Sequence, residues 1–194
     1  MFTVRPYLLS ALLMGAAVLV PASGAQAGPK AARGQRSAPV SDSAMTDGQS
    51  LGVAEAASSG EILLATTAAS RVRTEPVQQL ARATINDHTD AIQAAHAVGD
   101  RLNLRAAQSA ASNEIRKEAD EATSHLENAT APSIDRTYVE GSIRLHQKVL
   151  NTIDEAVLRT HSEEVKALMG GVRARVTHEL DTARSVLASL HTLA

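Results

Sequence analysis

The stretch that decides the fold is residues 75–99, EPVQQLARATINDHTDAIQAAHAVG. At about 100° per residue, Val77, Leu80, Ala81, Ala91, Ala95 and Val98 fall on one stripe, with polar positions filling most of the remaining circumference. Glu75-Pro76 opens the stretch with proline in the first helical turn, where its missing N–H is one the helix would leave unpaired anyway, and Gly99 offers a stop. The pattern predicts a long amphipathic helix over 75–99. His88 lies inside its apolar stripe, where an inert core has no use for an imidazole.

Working outward toward the N-terminus, Thr46-Asp47 can cap a first helix that runs to about Val72. Its inward stripe is Ala54, Ala57, Ala65, Ala68 and Val72, with Glu61 at the centre. The two helices form a hairpin about Thr74. Glu61 stands 13 positions before that turn and His88 stands 14 after it. At a rise of ~1.5 Å per residue, antiparallel helices bring the two to one level.

Toward the C-terminus the pattern weakens over residues 100–130, although Ile115, Ala119, Ala122 and Leu126 keep helical spacing, so a less regular helical crossover is expected there. Pro132-Ser133 then starts a third long helix reaching about Thr160, with a stripe of Val139, Leu150, Ile153 and Val157. His146 lies at the centre of that stripe and Asp135 three turns earlier. Ser162-Glu163-Glu164 starts a last helix reaching about Leu190, with Gly170-Gly171 expected as a weak point or kink. About a turn at His161, His146 stands 15 positions before, and His178 and Glu179 stand 17 and 18 after. His178 falls toward the flank of its stripe and Glu179 nearer the centre, so both stay as candidates. An Arg175 to Glu179 ion pair at i,i+4 is also expected. Four long helices plus a crossover make two hairpins that bury their faces against each other: an all-α, up-and-down four-helix bundle with an additional helical crossover.

The first residues belong to no such fold. Arg5 precedes an apolar run from Tyr7 to Val20, Pro21 ends it, and Ala25-Gln26-Ala27 has the small-x-small form of a cleavage site. Residues 1–27 therefore read as a signal peptide, residues 28–45 as a flexible leader rich in Gly, Pro, Ser and Arg, and residues 46–194 as the helical domain. A periplasmic or secreted location follows, with no transmembrane anchor later in the chain. The 194 residues contain no cysteine and carry a net charge of -2. That excludes a disulfide framework, a thiolate metal site and a lipid attachment of the bacterial lipoprotein kind, and argues against a nucleic-acid partner. With the signal peptide removed, Tyr138 is the last aromatic residue, so alanine must carry much of the packing.

A glutamate and two histidines converging from separate helices are the means by which bundles hold transition-metal ions, because imidazole and carboxylate suit Zn, Fe, Mn and Cu(II). The candidate ligands are Glu61, His88, His146 and one or both of His178 and Glu179. A buried Glu–His hydrogen-bonded pair that fixes helix register, with no metal, is the competing reading. A di-iron centre wants Glu-x-x-His on two helices, whereas Ile85 and Ile143 stand three before His88 and His146. His96, His125, His161 and His191 lie at flanks, in the crossover or at ends and are read as solvated. No Gly-rich phosphate loop, nucleophile elbow or Ser-His-Asp spacing is present, and no catalytic residue is assigned.

The order of these features resembles a known family. An exported leader, a helix with a central glutamate, Ile85-Asn86-Asp87-His88, then Ile134-Asp135-Arg136-Thr137-Tyr138-Val139 followed by His146, and a terminal helix with His178 look like the bacterial domain of unknown function 4142. The resemblance covers roughly Thr46 to Leu190. It departs at Ile134, where phenylalanine is usual, at Leu145, where an acidic residue is common, and at Val172-Arg173, where a Leu-Pro pair is typical. The resemblance implies a ferritin-like bundle, exported and without a settled biochemical role, and it carries Glu61, His88, His146 and His178 over as the polar set. Two functions follow as expectations: an extracytoplasmic metal-binding protein for storage, buffering or stress protection, or a structural module that associates with an envelope component or with a second copy of the chain.

Overall fold

The computed structural model describes residues 45–192, with side chains as far as 190. The signal peptide expected at 1–27, nearly all of the leader expected at 28–45 and the His191 side chain lie outside the described residues. Five helices and no strand make up the described residues: α1 (Asp47–Ala69), α2 (Glu75–Leu102), α3 (Ala110–Glu127), α4 (Ile134–Arg159) and α5 (Glu163–Thr192). The all-helical expectation is met.

Helix α1 is the centre of the domain and packs against each of the other four. Its expected stripe of Ala54, Ala57, Ala65, Ala68 and Val72 is buried, and so are Leu51, Val53, Ala56 and Leu64 beside it. A narrow strip of α1, at Ser59, Leu63 and Thr66, faces solvent, as a helix packed against four others requires. Small residues permit the close approach. A Cβ on Gly52 would collide with the Ala107 carbonyl oxygen, and one on Gly60 would meet the Ala119 Cβ at 2.8 Å.

The crossover expected to be irregular is instead mostly helical. Residues 103–109 and 128–130 are irregular, and between them α3 is a regular helix opened by reciprocal Ser109 and Ser112 hydrogen bonds. Ile115, Ala119, Ala122 and Leu126 form its buried stripe as their spacing predicts. Helix α2 also runs past the expected stop. Asn103 takes the left-handed conformation that ends the helix (φ 51°), while Gly99 sits inside it, close to the Leu104 carbonyl. Gly170-Gly171 lies within an uninterrupted α5, with open space beside both residues.

Two aspartates lock the hairpins together. Asp135, in the first turn of α4, accepts the Arg73 and Thr74 main-chain N–H groups at 2.7 and 2.9 Å and so caps the α1–α2 turn. Asp47, in the first turn of α1, accepts the His161 N–H at 2.8 Å and the Ser162 N–H at 3.2 Å, and so caps the α4–α5 turn. Each hairpin thus supplies the carboxylate that satisfies the other's orphan amides. The crossed caps fix the height of α1 and α2 against α4 and α5, and with it the level at which their inward polar residues meet.

Candidate metal centre

Four helices each place one ionisable side chain at a common level inside the domain. Glu61 on α1 is 1% exposed, His88 on α2 and His146 on α4 are 0% exposed, and Glu179 on α5 is 5% exposed. Glu179 Oε2 stands 2.9 Å from His88 Nε2 and 3.0 Å from His146 Nε2. Glu61 Oε1 lies 3.5 Å from His146 Nε2. One ligand atom each from Glu61, His88 and His146 lies within 4.8 Å of the others, a spacing that can converge on a single cation. The two imidazole rings are tilted by 37° to each other, with centroids 6.2 Å apart.

The orientation of His146 is set by its own helix. Its Nδ1 lies 2.8 Å from the Ser142 carbonyl oxygen, which can only accept, so Nδ1 carries a proton. Neutral imidazole then presents an Nε2 lone pair to two carboxylates. That contact is repulsive unless a proton or a cation sits between them. A ring whose far nitrogen donates to a main-chain carbonyl is also how metal-bound histidines are oriented, with the other nitrogen left free for the ion.

The electrostatics agree. Burial opposes ionisation of Glu179, yet hydrogen bonds and charge from His146 and His88 hold its carboxyl down to about 2. Burial pushes the Glu61 carboxyl up against the pull of His146 and His88. His146 is raised, because Glu61 and Glu179 outweigh the burial that disfavours its charge. Buried carboxylate oxygens Glu61 Oε1 and Glu179 Oε1, and His88 Nδ1, have no hydrogen-bond partner among the described residues. Tyr138 is buried beside the cluster, and burial, with charge from Glu61 and Glu179 adding, keeps its phenol protonated.

Glu61, His88 and His146 come together as the helical arithmetic predicts, and the choice on α5 falls to Glu179. His178 is exposed to solvent, so the residue that the family resemblance carried over does not join the cluster. The expected Arg175 to Glu179 pair is likewise replaced. Arg175 donates across to the Asp87 carbonyl at 2.7 Å, because Glu179 turns inward to the histidines. Asp135 serves the hairpin turn rather than the cluster. Sequence reasoning missed Ser142, although its place one turn before His146 is where a helical histidine finds a carbonyl partner. His96, His125 and His161 are exposed, with His96 beside Glu55 at 3.3 Å.

No helix among the described residues is long and apolar enough to cross a membrane. No curated protein matches the chain. Among solved structures, a crystal structure of a DUF305 fragment from Deinococcus radiodurans is similar, with a TM-score of 0.64 and 16% identity. The likeness covers 74% of this chain and 95% of that one, and at this identity it speaks to the fold alone. A family model described as a domain of unknown function, DUF4142, matches residues 31–186, and over that span lie the Asn86-Asp87-His88 and Asp135-Arg136-Thr137-Tyr138 segments and all four residues of the cluster: the chain belongs to the DUF4142 family.

Proposed function

We propose that this chain is an exported, ferritin-like helical bundle that binds one divalent transition-metal ion through Glu61, His88, His146 and Glu179, in metal storage, buffering or stress protection outside the cytoplasm. In this reading α1, α2, α4 and α5 are the four-helix bundle and α3 is its additional crossover helix. The observation that carries it is the His146 ring, whose Nδ1 is held by the Ser142 carbonyl while Nε2 faces two carboxylates. A divalent ion with neutral imidazoles cancels the charge of the two glutamates, as burial demands. The donor set contains no thiolate or thioether, which favours Zn, Mn, Fe or Cu(II) over Cu(I). Export rests on Arg5, the apolar run to Val20 and Ala25-Gln26-Ala27.

The test is the metal content and N-terminal sequence of protein purified without a histidine tag from its native host. About one divalent ion per chain and an N-terminus close to Gly28 are expected. Metal-free protein that takes up none on reconstitution contradicts the first part, and an intact Met1 contradicts the second.

A specific observation also favours a metal-free reading. Glu179 already bonds both histidines, so a protonated His146 bridging the two carboxylates closes the cluster as a structural element. The bundle would then be an interaction module for an envelope component or a second copy. Melting temperatures insensitive to every metal, with a destabilised His88→Ala variant, would select this alternative.

A further inference from the structure

The four ligand candidates are enclosed, so an ion needs a way in, and the seams differ. Glu61 belongs to the helix that packs against the other four, and His146 is turned to its own helix by Ser142. Glu179 stands closest to solvent, at 5% exposed against 0–1% for the rest. Its hydrogen bond to His88 spans from α5 to α2. One turn before Glu179, Arg175 also reaches from α5 to α2. Its Nη1 donates to the Asp87 carbonyl at 2.7 Å and stands 3.8 Å from Asp87 Oδ1. Asp87 is the residue before His88, so the guanidinium is fastened to the main chain that carries the ligand. Both side chains are partly open to water, at 36% and 48% exposed, so the fastening can open without unpacking apolar core.

We infer that the α2–α5 seam is the access route to the cluster and that Arg175, fastened to Asp87, is its latch. The proposal rests on the metal-binding reading for its purpose. The opening itself is a property of the metal-free protein and can be measured without any ion.

The first arm therefore uses metal-free protein. Diethyl pyrocarbonate acylates accessible imidazole nitrogen, and mass spectrometry follows each histidine peptide separately. In Arg175→Ala, His88 should react about tenfold faster, the factor that corresponds to removal of one hydrogen bond from a charged donor. Exposed His96 should react at its wild-type rate, and Arg175→Lys should restore part of the protection. Amide hydrogen exchange in α1 separates opening of the seam from loss of the fold. Unchanged His88 reactivity, or acceleration matched by faster exchange throughout α1, overturns the latch.

The second arm loads Zn²⁺ and follows its release into a chelator. Arg175→Ala should speed uptake and release by a similar factor and leave Kd within about threefold. Faster release with unchanged uptake means that Arg175 positions His88 and does not gate access. Wild-type protein that binds no Zn²⁺ removes the metal-binding reading for that ion, and the first arm still decides whether the latch exists.

Discussion

Replacing Glu179 with glutamine tests the electrostatics of the cluster, because the amide keeps the shape of the side chain and removes its charge. Burial works against ionised Glu179, but His146 and His88 hold its carboxyl down to about 2, against an ordinary value of 4.5. A depressed value in the folded state gives a stabilisation that is full above about 4.5 and is lost as pH falls toward about 2. At 1.36 kcal/mol per pH unit the difference amounts to about 3 kcal/mol. Glu61 has the opposite sign: its raised value means that stability is gained on protonation and lost as pH rises through the folded value. Since Glu61 is present in both proteins, comparing wild type with Glu179→Gln largely removes it. Urea unfolding in the presence of chelator, followed by circular dichroism, should show the variant less stable by about 3 kcal/mol at neutral pH. That gap should close between pH 4.5 and 2. A gap that stays constant across this window would refute the assignment of a buried, ionised Glu179 bonded to two histidines.

Other substitutions test the frame around the cluster. Asp135→Ala strips the cap from the Arg73 and Thr74 amides and should cost about 1–2 kcal/mol in the same unfolding assay, with α4 otherwise intact. Gly171→Ala fills open space on the exposed face of α5 and should raise stability by about 0.5–1 kcal/mol. Ala65→Leu forces a large side chain into a position that is 0% exposed, and a loss of ~1–3 kcal/mol on thermal melting is expected.

Periodicity read well where a helix has two different faces. The stripe of α2 located both its core and His88, and the α1 and α4 stripes placed Glu61 and His146. Distances counted from the hairpin turns set their common level. The same method is weak on α1, where alanine, glycine and serine recur around most of the helix and the exposed strip of Ser59, Leu63 and Thr66 is narrow. That breadth of burial belongs to a helix packed against four others. It hid the place of α3, whose stripe could be read while its partner could not. Gly99 misled as a stop because glycine also serves close packing inside a helix, whereas Asn103, which can adopt a positive φ, ends α2. The choice between His178 and Glu179 was legible in principle. Glu179 stands three after Val176 and four before Ala183, both buried, which puts it on the inward face. Adjacent residues differ by about 100°, too little for stripe arithmetic to separate without those neighbours. Crossed caps such as Asp47 on the α4–α5 turn join residues more than a hundred positions apart, and no local pattern announces them.

The central claim is that the cluster is a metal site rather than a closed polar knot, and a metal titration of chelator-stripped protein tests it most directly. Melting temperatures would be recorded for wild type and His88→Ala with increasing Zn²⁺, Mn²⁺, Fe²⁺ or Cu²⁺. If Glu61, His88, His146 and Glu179 bind an ion, at least one metal should raise the wild-type melting temperature. Stabilisation should grow as the logarithm of free metal above Kd, and His88→Ala should lose most of it. Binding should weaken as pH falls through the histidine range, because the ion must displace the proton from each imidazole. A wild-type melting temperature that no metal moves, in a protein that His88→Ala destabilises by ~1–3 kcal/mol with or without metal, would contradict the claim.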